Sequence, residues 1–336
     1  MKTFAYERAT DAAAARAALA EPGTQLLAGG TELLNWMKEG IAAPDRVVDI
    51  NALPYDRIEA TEQGLHLGAL ARMSDVAAHP DVARDYPVLA EALLRSASPQ
   101  LRNMASIGGN LMQRTRCPYF RADTPLPCNQ REPGSGCVAL HGGSTEAHAI
   151  FGGRTDGGPG EQCVATHPSD MAVALAALDA EVIVLGAGGE RRLPIAEFYV
   201  PEPARRTALE PGELITGVTV PAAAHTSASH YLKVRERVSY EFAVVSAAAA
   251  VTLDGTAIAS VRLALGAVAH RPWRLPAAEE ALRGVDAGDR AGVEAAVAAG
   301  FADATPLPDN AFKVTLARRA AVRALREAVR TGGERA

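Results

Sequence analysis

The chain has 336 residues, of which 48% are apolar and 22% charged, and its formal net charge is −5. That length exceeds one ordinary core and predicts two or three domains, and the composition excludes a disordered protein. The negative balance, the lack of any Lys/Arg run and an aromatic content of only 5% exclude a nucleic-acid partner.

The N-terminus, MKTFAYERATD, has no basic region followed by an apolar run, so no signal peptide is expected. Met1–Tyr6 predicts a short strand, and Asp11–Leu19 an Ala-rich helix with Asp11 as N-cap. Gln25–Leu34, QLLAGGTELL, predicts an apolar strand, a turn at Gly29-Gly30 and a helix from near Thr31. Such a junction points free amides and a helix N-terminus at one spot, which suits phosphate, although a plain structural turn has the same pattern. It is not the G-x-G-x-x-G of dinucleotide folds. Arg46–Ile50 completes a β-α-β unit ending near Pro54. From Ile58 the alternation GLHLGAL predicts a half-buried strand, and helices at Ser74–Val76 and Pro87–Ala97 lead to Ser98-Pro99.

The central stretch runs from Ser106 to Cys137, SIGGNLMQRTRCPYFRADTPLPCNQREPGSGC. Gly108-Gly109 predicts a second turn where backbone can approach a ligand closely. Three of the four cysteines follow, and a Gly-rich segment too long for an ordinary connection continues to Cys163. Further on, Ser169 and Asp170 cap a helix that precedes a strand. The GAGG at Gly186–Gly189 lies between two strand-like runs and predicts a hairpin. Glu213–Pro221 is a strand, and His225–His230 a linker and domain boundary. YLKVRER, FAVVSAAAAVTL and SVRLALGAVA then predict antiparallel strands, followed by helices at Ala277–Arg283, Arg290–Phe301 and Lys313–Arg330. The apolar stretch Ala243–Leu253 is too short to cross a bilayer, so a soluble protein without a membrane span is expected.

Four cysteines are too few for a disulfide scaffold in a chain of this size, and their crowding favours metal or redox chemistry. Ten, eight and twenty-five residues separate Cys117, Cys128, Cys137 and Cys163, which matches neither zinc ribbons nor common ferredoxins. Spacing alone leaves three readings open. They are a 4Fe–4S cluster on four thiolates, a zinc site with His141, His148 or His167 as substitute ligands, and unpaired buried cysteines. Arg114, Arg116, Arg121 and Arg131 flank the loop; they are solvated surface unless an anionic cluster or diphosphate lies beside them. No G-x-S-x-G, H-E-x-x-H or Walker loop occurs, so activity would have to come from a cofactor.

Four blocks in order, AGGTELL at Ala28–Leu34, SIGGN at Ser106–Asn110, SDMAVALAALDAEV at Ser169–Val182 and KVRERVSYEFAVVSAA at Lys233–Ala248, carry a resemblance over essentially the whole chain. Together they resemble the FAD-binding subunit of molybdenum hydroxylases, the xanthine dehydrogenase and carbon monoxide dehydrogenase flavoprotein family. The cysteine insert is similar to that of the flavoprotein subunit of bacterial periplasmic-type aldehyde oxidoreductases, which carries a 4Fe–4S cluster besides FAD.

The resemblance implies an α+β chain. Its p-cresol-methylhydroxylase-type FAD-binding fold would have two subdomains, 1–57 and 58–224, the second with an iron–sulfur loop at 112–165, and a C-terminal α/β domain would follow at 225–336. Carried over block by block, Leu27, Ala28, Gly29, Gly30, Thr31, Glu32, Leu33 and Leu34 would hold the FAD diphosphate. Ser106, Gly109 and Asn110 would form a second diphosphate-facing turn, Asp170 would bond the adenosine ribose region, Leu214 or Ile215 would pack on adenine, and Lys233 would sit near the isoalloxazine. Cys117, Cys128, Cys137 and Cys163 would ligate the cluster.

The implied role is electron transfer to an external acceptor, with oxidation at a molybdenum cofactor in a large partner and 2Fe–2S clusters in a small one, as a heterotrimer. A stand-alone flavin or iron–sulfur redox sensor and a zinc-stabilised structural subunit are the alternatives. The expected location is cytoplasmic, or periplasmic if the chain is exported folded with a signal-bearing partner.

Overall fold

Strand β1 (Ala5–Arg8), helix α1 (Ala12–Ala20), strand β2 (Thr24–Leu27), helix α2 (Leu33–Lys38) and strand β3 (Arg46–Asp49) form the first unit of the computed structural model. The structure describes residues 1–153, 162–223 and 225–333. Residues 154–161 of the expected iron–sulfur loop, residue 224 at the expected domain boundary and residues 334–336 lie outside them. β1 and β2 both run parallel to β3, in the order β1-β3-β2. β1 begins at Ala5 rather than Met1 because pairing starts where the Ala5 amide donates to Asp45 O at 2.8 Å. Asp11 caps α1 by accepting the Ala14 amide at 2.8 Å. α2 starts two residues later than the pattern predicts, since Gly30 turns left-handed at φ +73 and Thr31 and Glu32 complete the turn.

The second unit begins with β4 (Ile58–Thr61) and β5 (Gly64–Gly68). Five short helices follow: α3 (Met73–Ala78), α4 (Pro80–Asp85), α5 (Pro87–Arg95), α6 (Pro99–Arg102) and α7 (Ile107–Leu111). Proline opens α4, α5 and α6, where a missing amide costs nothing. Gly108-Gly109 is therefore not a free turn as expected; it lies in α7, with Ser106 as N-cap accepting the Gly109 amide at 3.2 Å. Its glycines serve packing: a Cβ on Gly108 would sit 3.1 Å from the Ala69 Cβ. Beyond the cysteine loop come α8 (Asp170–Ala177), the hairpin of β6 (Glu181–Gly186) and β7 (Gly189–Pro194), α9 (Ile195–Phe198) and β8 (Leu214–Pro221). The sheet order is β4-β5-β8-β6-β7, antiparallel throughout.

The last unit is an antiparallel sheet, β9 (Ser229–Val234), β10 (Val245–Asp254), β11 (Ala257–Gly266) and β12 (Trp273–Arg274), with helices α10 (Pro276–Ala281), α11 (Arg290–Ala299) and α12 (Phe312–Gly333). β9 begins inside the stretch expected as linker, because Ser229 is buried and its hydroxyl donates to Thr226 O. α12 lays an alanine face, with Ala317, Ala321, Ala324 and Ala328, on this sheet. Every residue of α8 is buried, between α5 and strands β10 and β11, so one core joins the second unit to the third. Among the described residues no helix is long and apolar enough to cross a membrane.

Candidate functional site

Between the three units lies a cleft of about 1300 Å³. One wall is the turn after β2. A Cβ on Gly29 would stand 1.9 Å from Met104 O, so only glycine lets this turn lie against the chain that precedes α7. The amides of Gly29, Gly30 and Thr31 donate to no described acceptor, which leaves a set of donors for an anion at the mouth of α2. The opposite wall is the first turn of α7. Asn110 is held there by Ser169, whose hydroxyl donates to Asn110 Oδ1 at 2.5 Å.

Two residues that the sequence gave no reason to single out fix the gap between these walls. Asn51 donates to Ala28 O at 3.0 Å and accepts from Arg72, which also donates to Met104 O at 2.6 Å. Asn51 is also tied locally to Asp49 Oδ1 at 2.7 Å, but its reach to Ala28 and Arg72 depends on residues more than twenty positions away. The rim adds Trp36, Tyr240 and Phe242, with the Arg116 guanidinium 4.4 Å from the Phe242 ring centre.

The cleft gathers Ala28 through Leu33, Ser106, Gly109, Asn110, Asp170 and Lys233. Leu27 and Leu34 were expected to act through backbone amides; their side chains are off the cleft wall, Leu27 packing toward Val47 and Met37 and Leu34 38% exposed. Leu214 sits in a core with Val48 and Ile50, and Ile215 in another with Leu65. The β8 side chains that were to pack on adenine are thus committed to the interior.

Asp170 needs a second correction. Its carboxylate is buried and already occupied, since it accepts from Tyr231 Oη, from Ser96 Oγ at 2.9 Å and from Lys233 Nζ at 2.8 Å. Oδ1 meets Tyr231 and Oδ2 meets Ser96 and Lys233, so Asp170 and Lys233 stand together and not at opposite ends of a dinucleotide. The pair is one device: Asp170 holds Lys233, whose side chain is 1% exposed and also donates to Arg95 O at 3.2 Å. Burial, then the adjacent Asp170 charge, push the Tyr231 phenol well above its usual range, so it stays a proton donor to the carboxylate.

A second, smaller cavity of about 310 Å³ has all four cysteines on its walls. Cys128 and Cys137 pair across a short antiparallel bridge, Gln130 Nε2 reaches Cys163 Sγ at 3.4 Å, and His148 Nε2 lies 3.3 Å from Cys117 Sγ. Burial pushes the Cys117 thiol up to about 12 and raises Cys137 and Cys163. All four cysteines are free of disulfides. Among the described residues no three His, Cys, Asp or Glu side chains close on a point as the ligands of a single metal ion. Of the histidines considered for zinc, His141 is exposed and His167 stacks on Tyr199 with ring centres 4.2 Å apart; only His148 faces a cysteine.

The loop also has a frame of its own, which its composition did not suggest. Asn129 accepts the Gly136 amide at 2.9 Å and donates to Gln162 O at 2.8 Å, while Asn310 and Lys313 both donate to His148 O, at 3.1 and 3.0 Å. The stretch between cleft and cavity is short: Arg116 lines the first and its neighbour Cys117 the second.

Comparison with known proteins agrees with this geometry. Residues 2–223 match the FAD binding domain in molybdopterin dehydrogenase, and residues 230–328 the CO dehydrogenase flavoprotein C-terminal domain. The chain is 49% identical to the aldehyde oxidoreductase FAD-binding subunit PaoB of Escherichia coli, over 98% of this chain and 99% of that one. It is 27% identical to the carbon monoxide dehydrogenase medium chain of Hydrogenophaga pseudoflava, over 91% and 88%. A solved structure of carbon monoxide dehydrogenase from that organism superposes with a TM-score of 0.74 at 26% identity, covering 98% of each chain. The two family models together span nearly the whole chain and meet at the cleft, and the chain belongs to the FAD-binding electron-transfer subunits of the molybdenum hydroxylases.

Proposed function

We propose that this chain carries the FAD of a molybdenum-dependent aldehyde oxidoreductase and a 4Fe–4S cluster on Cys117, Cys128, Cys137 and Cys163. In this reading it works in a heterotrimer with a large molybdenum-cofactor subunit and a small 2Fe–2S subunit, and passes electrons to an external acceptor. The observation that carries the aldehyde assignment is the identity of 49% with the E. coli aldehyde oxidoreductase subunit over nearly the full length of both chains.

FAD and a cluster supply the electron-carrying chemistry that side chains lack. The chain's own residues bind and orient. The amides of Gly29, Gly30 and Thr31 suit a diphosphate, with Ser106, Gly109 and Asn110 on the facing wall. Lys233, fixed by Asp170, brings a buried cation to the same cleft. Four thiols line one cavity, and four thiolates are the full ligand set of a 4Fe–4S cluster. Arg116 and Cys117 are adjacent, about 3.8 Å apart along the backbone, which favours exchange between cleft and cavity.

Anaerobic benzaldehyde should leave the visible flavin band of the isolated subunit intact and bleach it once the molybdenum and 2Fe–2S subunits are added. Rapid bleaching of the lone subunit would make it the dehydrogenase itself and end this reading. Cys128→Ser should remove the iron while leaving most of the FAD; iron content unchanged in all four single cysteine variants would sink the ligand assignment.

A further inference from the structure

Behind the cysteine cavity, and sharing Thr115, Gln130 and Cys163 with it, lies a pocket of about 560 Å³ holding two arginines, Arg114 and Arg206. The four arginines near the loop divide sharply with this one. Arg116 and Arg121 both bond Glu32 Oε1, at 2.7 and 3.1 Å, and Arg121 also bonds Glu39 at 2.8 Å. Arg131 donates to Ala122 O at 2.8 Å.

Arg114 and Arg206 have no carboxylate among the described residues. Arg114 donates to Gln130 O at 2.7 Å and stacks 4.3 Å over the Phe120 ring, and its Nε is buried without an acceptor. Arg206 Nε is likewise buried without an acceptor. Glu202 stands exposed at the rim and makes no ion pair with either. Gln130, which joins the two cavities, also has its Oε1 buried and unpaired.

Two guanidiniums lining one pocket, with no carboxylate for either among the described residues, are costly. Burial lowers Arg114 to about 9, with the Arg206 charge adding to it. Four thiolates on iron, in the cavity that shares Thr115, Gln130 and Cys163 with this pocket, would supply the negative charge that the pair lacks. A tetrathiolate iron–sulfur group carries net negative charge, and its one-electron reduction adds one more unit with no bond made or broken.

We propose that Arg114 and Arg206 are the counter-charges of the four-cysteine site and hold up the reduction potential of the iron–sulfur group bound there. The proposal rests on the cluster reading above and extends it to residues that touch no iron. They are positioning residues, acting through charge alone.

The test is a dithionite titration of the assembled complex followed by EPR, with iron and acid-labile sulfide measured in each sample. Arg114→Gln and Arg206→Gln should each move the cluster midpoint to more negative potential with iron content unchanged. In the double variant the reduced-to-oxidised ratio at the wild-type midpoint should fall about tenfold or more. Arg206→Lys should stay near wild type, and Arg290→Gln, an exposed arginine paired with Glu294, should not move it. An unshifted midpoint in the iron-replete double variant overturns the proposal while leaving the cluster intact. A wild-type chain without iron overturns the cluster reading and this one with it. If Arg206→Gln loses its iron, retention of iron by Arg206→Lys supports a charge role, and loss there too overturns it.

Discussion

In the flavin cleft the buried charges meet partners from this chain: Asp170 with Lys233, and Glu32 with Arg116 and Arg121. In the cysteine cavity, reached one residue further on at Cys117, the thiols have no paired cation and the two arginines behind them have no anion. The cleft's charges are paired within the chain and its walls preset by Gly29, Asn51 and Arg72, so that a cofactor meets fixed donors. The pocket behind the cavity holds charge without a counter-charge among the described residues, and on the proposed cluster reading the occupant supplies it. Breaking a partner in the cleft should therefore disturb the fold, whereas the same charge change behind the cavity should be read in its occupant.

The largest effect is expected at Asp170. Asp170→Ala strands Lys233 in the interior with Arg95 O as its remaining partner and takes the carboxylate from the buried Tyr231 hydroxyl, while Ser96 keeps Ala92 O at 2.8 Å. Removing one partner of a buried pair costs about 3–5 kcal/mol, to be read from urea unfolding of the purified chain. Adding Lys233→Met should recover most of that loss, because the stranded charge goes with it. A single variant within about 1 kcal/mol of wild type would show that the cleft does not depend on this pair.

Next comes Gly29→Ala. The added methyl meets the Met104 carbonyl, which is backbone and cannot rotate aside. Overpacking of this kind costs about 1–3 kcal/mol, and the turn must move away from α7. FAD content after gel filtration should drop to a small fraction of wild type, with iron content little changed. Equal loss of flavin and iron would mean that the two sites are not independent, and the contrast drawn between them would not stand.

Much of this was legible in the sequence. Asp11 and Ser169 are N-caps read from residue type alone, and the GAGG hairpin followed from the strand-like runs around it. The Gly29-Gly30 turn was visible because a glycine pair between a strand and a helix has few other uses. What stayed hidden depends on distant backbone. Gly108-Gly109 looks like the first pair, but Ser106 is placed to cap it and Ala69 to crowd it, so it winds into α7. Leu214 and Ile215 lie on a strand whose exposure is decided by three neighbouring elements. Asp170 and Lys233 are sixty-three residues apart, and their union rests on β9 passing over α5, which itself packs on α8. Arg206 gave no signal, because a basic residue in a Pro-rich loop ordinarily faces solvent.

The smallest of the expected effects concerns the frame around the cysteine loop, and it separates that frame from the cavity's contents. Lys313 is 1% exposed and its ammonium donates to His148 O and Ala267 O, with no carboxylate beside it. Burial lowers it from 10.5 to about 8. Below pH 8 the folded and unfolded chains both carry this proton, so its contribution to stability is constant and unfavourable. Between about 8 and 10.5 the unfolded chain holds the proton and the folded chain has lost it, so stability rises with pH across that window. The gain follows the gap between the two values and is complete only above about 10.5. Lys313→Met has no such group, and subtracting its unfolding free energy from that of wild type at each pH cancels the tyrosines that also titrate there. The difference should be flat from pH 6 to 8 and climb in favour of wild type above it. A flat difference throughout would mean that Lys313 stays charged in the folded state, and that an anion within reach of the His148 segment holds it so.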